Sequence, residues 1–404
     1  MWGERNVKAI RGGYAVVGAL AGALVLMATA GCSTDTAKAD SPKAAPSSAK
    51  PTVSAATIAI EPANGTTDVK PSGAVKVSAG NGKLTSVKVT GPDGVEVKGT
   101  LAADGASWAP SDNLKVSTAY TVDALAEDSQ GVVANSRSTF TTLTPEKDAG
   151  VSDNIADNGQ YGVGMIVSVR FDRAVKNKDA VLAGITFEAA DGTVVKGHWF
   201  NDKRLDFRPE KFWNPNTKVT IHYKLKNVET APGVYGGVDK DEPFTIGRSQ
   251  ISTADVNTHR MAVVRDGQQT DSIPFTAGKA GFDTWNGTMV VEGMEGKTRM
   301  TSAGVTKSGS GDEYDLVVPH AIRLTDTGTY VHGNYWSGSV IGRSNGSHGC
   351  IGLTDTEAGS SSSPAGKFYD STLVGDVVTV VNSKGPVVDA VNGLGGWNLG
   401  WSQW

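Results

Sequence analysis

The chain has 404 residues, which is too long for one typical domain and predicts two or three. Its formal net charge of −4 excludes the basic excess of a nucleic-acid-binding protein, so we expect no nucleic acid among its partners. Hydrophobic residues make up 39% of the chain and 50 residues are glycine, a composition that favours packed cores built from short strands and turns.

The N-terminus has the composition of an export signal. Arg5, Lys8 and Arg11 precede the apolar run "YAVVGALAGALVLMATAGC", which ends in small residues and Cys32. This order is typical of a lipoprotein signal peptide over residues 1–31, cleaved before Cys32 so that the thiol carries lipid. The alternative is an uncleaved transmembrane anchor, for which the run is marginally short, since a span takes about 20 apolar residues. In both cases we expect the rest of the chain in the cell envelope, at the outer face of the cytoplasmic membrane.

The next segments predict a tether and then a repeated β domain. Residues 32–54 are rich in Ser, Ala, Pro and Lys, which predicts a disordered tether. Further on, "DGVEVKG" at Asp93–Gly99 recurs as "DGTVVKG" at Asp191–Gly197, and Asp-Gly turns separate segments of alternating polarity. This pattern predicts two immunoglobulin-like β-sandwiches, over residues 55–147 and 148–250, which we expect to act as spacers or docking surfaces.

A third, β-rich domain is predicted over residues 251–382, so the fold class of the whole chain is mainly β. One helix candidate, "TDTEAGSSSSPAGKFYDST", follows Leu353, with Thr354 or Asp355 as its N-cap. Residues 383–404 form a short C-terminal extension that is rich in tryptophan. We expect its aromatic side chains to pack on the preceding domains.

Cys350, in "SNGSHGCIGL", is the only cysteine besides Cys32. If Cys32 carries lipid, Cys350 has no disulfide partner, and an unpaired thiol in an oxidising compartment favours a reactive role. Because only about 3% of a free thiol is ionised at pH 7, a nucleophilic cysteine needs a base. Two histidines are candidates, His332 in the strand-like "TYVHG" and the adjacent His348.

We favour His332 as the base, because a strand holds a side chain more rigidly than a glycine-rich loop does. Gly349 allows a close backbone approach, and the N–H groups of Gly349 and Cys350 are candidate donors to an oxyanion. A zinc site formed by His332, His348 and Cys350 is the alternative use of the same side chains.

The segment "HGNYWSGSVIGRSNGSHGCIGL" resembles the spaced His and Ser/Thr-His-Gly-Cys signature of the YkuD-type L,D-transpeptidases, with 14 residues between His332 and Ser347. The leader, the two Ig-like domains and the Trp-rich extension agree with this family. The resemblance implies that Cys350 is the nucleophile and His332 the acid/base, its ring oriented by the backbone carbonyl of Gly333. The residues that match the family's nucleophile loop are Ser347, His348 and Gly349.

The same resemblance implies a set of substrate contacts. They come from a lid-like hairpin, from the approach to the histidine strand and from the pocket lining, and they fall on Tyr314, Thr327, Gly328, Trp336 and Met300. One position departs from the family, which usually has Asn two residues after the cysteine, where this chain has Gly352. A side-chain contact is therefore missing while the backbone N–H is kept, so we expect activity with an altered donor preference or rate.

The implied reaction is acyl transfer between peptidoglycan stem peptides, which serve as donor and acceptor. His332 takes the thiol proton, the imidazolium favours the thiolate, and Cys350 attacks the third residue of a tetrapeptide stem with loss of the terminal D-Ala. An amine from a second stem then forms a 3→3 cross-link. Carbapenem-type β-lactams are implied as covalent inhibitors, and no cofactor or metal is implied. The alternatives are an L,D-carboxypeptidase that uses water as acceptor and a non-catalytic envelope-binding protein.

Overall fold

The computed structural model describes residues 53–303, 306 and 311–404. The predicted signal peptide, Cys32 and nearly all of the tether lie outside these residues. No helix in the described part of the chain is long and apolar enough to cross a membrane. Strands dominate the described residues, and the predicted fold class, mainly β, is confirmed.

Domain 1 is a sandwich of two four-stranded sheets. Its strands in chain order are β1 (Thr57–Glu61), β2 (Thr66–Val69), β3 (Lys76–Gly80), β4 (Gly82–Thr90), β5 (Gly99–Leu101), β6 (Ser107–Pro110), β7 (Ala119–Asp128) and β8 (Val133–Thr142). One sheet has the order β1-β3-β6-β5 and the other has β2-β8-β7-β4. Every second residue of β7 from Tyr120 to Ala126 is buried, as expected for a strand with one face on a core.

Domain 2 has two similar sheets and a small third one. Its elements in chain order are β9 (Lys147–Asp148), β10 (Val151–Asp153), β11 (Gln160–Tyr161), β12 (Val167–Phe171), α1 (Lys178–Ala183), β13 (Ile185–Ala189), β14 (Val195–Trp199), β15 (Arg204–Pro209), β16 (Lys218–Lys224), β17 (Glu229–Ala231), β18 (Val234–Tyr235) and β19 (Asp239–Ile246). The sheet orders are β10-β12-β15-β14, β11-β19-β16-β13 and β17-β18-β9.

The sequence repeat corresponds to equivalent positions in the two domains. The aligned aromatic residues Trp108 on β6 and Phe207 on β15 are both buried in their cores. The glycines of the two repeated Asp-Gly turns, Gly94 and Gly192, have φ values of +73° and +77°. Because only glycine adopts such φ values without steric cost, both copies of the turn contain it.

The C-terminal domain is one mixed sheet of nine strands, in the order β23-β28-β20-β21-β22-β27-β26-β25-β24. Its elements are β20 (Gln250–Asp255), β21 (Arg260–Arg265), β22 (Gln268–Thr276), β23 (Gly287–Val290), β24 (Gly293–Thr301), β25 (Asp315–Arg323), β26 (Tyr330–Asn334), β27 (Ile351–Thr354), α2 (Pro364–Asp370), β28 (Val377–Val381) and a 3-10 turn (Gly395–Asn398). Strands β26 and β27 run parallel to each other, which brings the two ends of the His/Cys motif side by side.

The helix of this domain begins later than the sequence predicted. It starts at Pro364, behind the N-cap Ser363, whose hydroxyl accepts the N–H of Gly366 at 2.9 Å. The prediction of an N-cap at Thr354 or Asp355 is wrong. Thr354 ends the paired strand β27, and the Asp355 carboxylate instead accepts backbone N–H groups of the loop that follows.

The C-terminal extension returns to domain 2. The indole N–H of Trp404 donates to the backbone oxygen of Lys196 at 2.8 Å, and that of Trp397 donates to Gly164 at 2.7 Å. The guanidinium of Arg208 faces the rings of three tryptophans, Trp397, Trp401 and Trp404, at 4.3–5.3 Å from their centroids. The extension therefore joins the C-terminal domain to domain 2.

Candidate active site

Two adjacent strands build a cavity around the motif histidine and cysteine. His332 on β26 lies in register with Gly352 on β27, and Cys350 directly precedes β27. Both side chains line one cavity, together with residues of the hairpin β24–β25 and of the loop before Cys350. The complete lining is Met300, Tyr314, Leu316, Val318, His332, Asn334, Trp336, Gly346, Ser347, His348 and Cys350.

His332 is held as a neutral ring that can act as a base. It is 5% exposed, and its Nδ1 lies 2.9 Å from the backbone oxygen of Gly333. Since a carbonyl oxygen only accepts, Nδ1 carries the proton and Nε2 keeps its lone pair. Burial lowers the pKa of His332, while the hydrogen bond to Gly333 partly opposes this shift. The Trp336 ring stacks on the imidazole, with centroids 5.9 Å apart.

The surroundings of Cys350 favour the protonated thiol. Its Sγ donates to the backbone oxygen of Gly328 at 3.6 Å, and burial raises the pKa of the thiol to about 11. No hydrogen bond joins Cys350 to His332 within the described ranges. Desolvation of both groups favours the neutral thiol and the neutral imidazole before substrate attack, and the proton transfer expected from the sequence belongs to the reaction itself.

The nucleophile loop is closed by Ser347. Its hydroxyl donates to the backbone oxygen of Cys350 at 2.6 Å and accepts the N–H of Gly349 at 3.2 Å. Gly349 has φ +119°, a conformation that requires glycine. The sequence predicted the N–H groups of Gly349 and Cys350 as donors to an oxyanion. For Gly349 this expectation is corrected, because its N–H already donates to Ser347.

His348 packs within the hairpin side of the cavity. Its ring contacts Phe282 and Tyr314, with centroids 4.8 and 4.9 Å away, and its Nε2 lies 3.7 Å from Asp312. Burial and the nearby Lys279 ammonium lower the pKa of His348, while Asp312 raises it. His348 therefore packs against Tyr314 and helps to fix the position of its ring, and burial raises the pKa of Tyr314.

The predicted substrate contacts divide into two groups. Met300, Tyr314 and Trp336 line the cavity. Thr327 is not among the lining residues: its N–H and hydroxyl are bound to the Asn392 carboxamide of the C-terminal extension, at 3.2 and 2.9 Å. Its neighbour Gly328 reaches the site through its backbone oxygen, which accepts from the Cys350 thiol, and Gly352 is not among the lining residues.

Some residues of the site had no assigned role from the sequence. Asn334 lines the cavity beside His332, and the spacing of two residues on a strand could have indicated it. Asn392 carried no local signal, because it lies 65 residues from the Thr327 that it binds. The zinc alternative finds no support in the described residues, where no group of three His, Cys, Asp or Glu side chains is placed to hold a metal ion.

Comparison with known proteins gives consistent matches. The bacterial Ig domain family matches residues 66–229, and the L,D-transpeptidase catalytic domain family matches residues 249–380. The chain is 32% identical to L,D-transpeptidase 2 of Mycobacterium tuberculosis (strain CDC 1551 / Oshkosh) over 82% of this chain and 79% of that protein. It is 28% identical to L,D-transpeptidase 5 of Mycobacterium tuberculosis (strain ATCC 25618 / H37Rv) over 86% and 76%. Among solved structures, an L,D-transpeptidase from Mycobacterium smegmatis matches with a TM-score of 0.47 and 28% identity, over 59% of this chain and 100% of that chain.

Proposed function

This chain belongs to the L,D-transpeptidase family, and from that premise we propose that it forms 3→3 cross-links in peptidoglycan through an acyl-enzyme on Cys350. The donor is a tetrapeptide stem and the acceptor is an amine of a second stem. The observation that carries the proposal is the shared cavity, which is lined both by His332, whose tautomer is fixed by Gly333, and by Cys350, the only thiol in the described part of the chain.

The first half-reaction begins with a proton transfer that accompanies attack. Nε2 of His332 accepts the thiol proton as Sγ of Cys350 bonds to the carbonyl carbon of the third stem residue. The tetrahedral intermediate collapses, the peptide bond to the terminal D-Ala breaks, and its amine leaves with the proton from His332. A thioester remains on Cys350.

In the second half-reaction an amine replaces the thiol. The amine of the acceptor stem attacks the thioester carbonyl, and His332 takes the proton that the amine loses. The C–S bond breaks, an amide forms, and the thiolate of Cys350 regains a proton from His332. If water attacks instead, the product is a tripeptide and the enzyme is an L,D-carboxypeptidase.

Tetrapeptide muropeptides test this proposal directly. We expect cross-linked dimer and free D-Ala from the native chain and no product from Cys350→Ala. Tripeptide without dimer would support the carboxypeptidase instead, and no product from the native chain would support a non-catalytic binding protein. A carbapenem should add one covalent adduct to the native chain, seen as a mass increase, because its strained carbonyl acylates the same thiol. An adduct that persists in Cys350→Ala would contradict this assignment.

The pH profile of the reaction distinguishes the neutral resting pair from an ionised one. Burial lowers the pKa of His332 below the usual histidine value of about 6.5. The base therefore stays neutral as the pH falls to about 6.5, and we expect kcat/KM to decrease only at a lower pH. With a thiol pKa of about 11, the rate of iodoacetamide alkylation should keep rising above pH 9. A plateau near neutral pH would indicate the thiolate–imidazolium pair.

We propose, from the sequence of the leader, that Cys32 carries the lipid that holds the enzyme at the outer face of the cytoplasmic membrane. Fractionation of cells that express the full chain tests this. The native chain should enter the membrane fraction with a lipid-modified N-terminus, whereas Cys32→Ala should lose the lipid. A native chain without lipid would refute the proposal and favour the uncleaved anchor.

A further inference from the structure

Asn334 places a carboxamide inside the catalytic cavity. It lies two residues after His332 on β26, is 3% exposed and lines the same cavity as His332 and Cys350. Residues two apart on a strand share a face, so the amide stands beside the imidazole. Neither the His/Cys motif nor the family resemblance assigns this side chain a role.

The orientation of this amide is set by a backbone contact. Its Oδ1 accepts the N–H of Ser337 at 2.9 Å. Because a backbone N–H only donates, the atom facing Ser337 is oxygen, and the NH2 group must point the other way. Within the described ranges no residue accepts a hydrogen bond from Nδ2 of Asn334. A donor that lacks a protein acceptor in the lining of a substrate cavity is suited to a ligand acceptor.

Gly352 makes room for this amide. A Cβ on Gly352 would lie 3.0 Å from Nδ2 of Asn334 and 3.0 Å from Cγ2 of Thr276, closer than ordinary contact. Glycine weakens a strand interior and marks a close approach of other atoms. Gly352 is in register with His332, so the space that its missing side chain leaves is beside the catalytic histidine.

We propose that Asn334 is a substrate-binding residue. Its Nδ2–H donates a hydrogen bond to a carbonyl oxygen of the donor stem peptide, next to the carbonyl carbon that Cys350 attacks. The inference rests on the proposed function. It also explains the departure at Gly352, where the family pattern has Asn: this chain supplies a carboxamide to the site from the neighbouring strand. A further donor is useful here because Ser347 occupies the N–H of Gly349.

The test compares acylation of Cys350 by tetrapeptide donor in the full chain and in variants. Asn334→Asp keeps the acceptor for Ser337 but removes the donor, and Asn334→Ala removes both. We expect both to lower kcat/KM for the donor on the order of tenfold. Measuring kcat/KM from pH 5 to 9 separates loss of the donor from a pKa shift of His332 caused by the new carboxylate. The matched control is Asn64→Asp in domain 1, which also accepts a backbone N–H, from Thr139, and should keep native activity.

A swap tests the exchange between the two strands. Asn334→Gly should lose activity, and the double variant Asn334→Gly with Gly352→Asn should recover it to within about threefold, because the carboxamide returns from β27. Alkylation of Cys350 by iodoacetamide should stay within about twofold in all variants, which shows an intact nucleophile loop. Native donor kinetics in Asn334→Asp, or a double variant no better than Asn334→Gly, would overturn the inference. An inactive native chain would instead refute the proposed function.

Discussion

The two Ig-like domains share a repeat but are attached to the rest of the molecule in different ways. The core of domain 1 contains only its own residues, from Ala56 to Phe140. The core of domain 2 continues into the C-terminal domain and the extension, and includes Val290, Leu394 and Trp404. Sequence similarity between two domains therefore does not imply that both are attached to the catalytic domain, because attachment depends on which residues each domain buries against its neighbour.

Polar contacts reinforce this difference. Between domains 1 and 2 they include a hydrogen bond from Val116 N–H to Asn227 and an ion pair of Lys70 with Glu229 at 3.6 Å. Domain 2 instead binds the C-terminal extension through buried Arg204, which pairs with Asp206 and donates to backbone oxygens of the extension. The extension in turn binds the loop that contains Thr327 and Gly328. A continuous series of contacts therefore connects domain 2 to the catalytic cavity.

The largest loss of stability is expected from Arg204→Met. It leaves Asp206, which is fully buried, without its partner, and removal of one member of a buried ion pair costs about 3–5 kcal/mol. Urea unfolding should show this loss in the transition of domain 2 and the C-terminal domain, with reduced transpeptidase activity. The double variant Arg204→Met with Asp206→Leu should recover most of the stability. An unchanged urea midpoint in Arg204→Met would contradict the stronger attachment of domain 2 to the C-terminal extension.

The second largest loss of stability is expected from Trp404→Ala. Truncation of a buried tryptophan costs roughly 3 kcal/mol, and here it also removes a ring that faces Arg208. Differential scanning calorimetry should show a lower Tm for the transition of domain 2 and the C-terminal domain, while the transition of domain 1 stays in place. A shift of both transitions would show that domain 1 is coupled as tightly as domain 2.

Glu292 makes the same interface sensitive to pH. Burial, reinforced by Asp326, raises the pKa of Glu292 to about 7. The folded state therefore binds a proton between about pH 4.5 and 7 that the unfolded state has lost, so stability is greatest below this window and falls by about 3 kcal/mol as pH rises through it. Glu292→Gln should flatten this part of the pH–stability curve, measured by urea unfolding. An equal slope in the variant would assign the dependence to other groups.

The smallest effect is expected from Lys70→Ala. Its ion pair with Glu229 is solvent-exposed on the Lys70 side, and such pairs contribute about 0.5 kcal/mol or less. Thermal unfolding and transpeptidase activity should both match the native chain. A clear loss of activity would show that domain 1 influences the catalytic cavity after all.

Much of the fold and the reactive pair could be predicted from the sequence. Alternating polarity and Asp-Gly turns indicated the strands of both sandwiches, since pleat and positive φ are local properties. The helix start at Pro364 was missed because a cap signal at Thr354 and Asp355 competes with strand pairing that only the tertiary structure supplies. The resemblance of the His/Cys motif to the family signature implied one site for His332 and Cys350, and the parallel pairing of β26 with β27 brings the two residues together.

By itself, the sequence determined the residue types that carry chemistry and the conformations that only glycine adopts, as at Gly349. The tertiary structure decided how the pKa values of the pair shift, because burial by residues from other strands raises the pKa of Cys350 and lowers that of His332. It also decided that Asn334 stands in the space left by Gly352, and that Arg204 holds an extension nearly 190 residues further along the chain. These contacts join distant parts of the chain, so no local pattern encodes them.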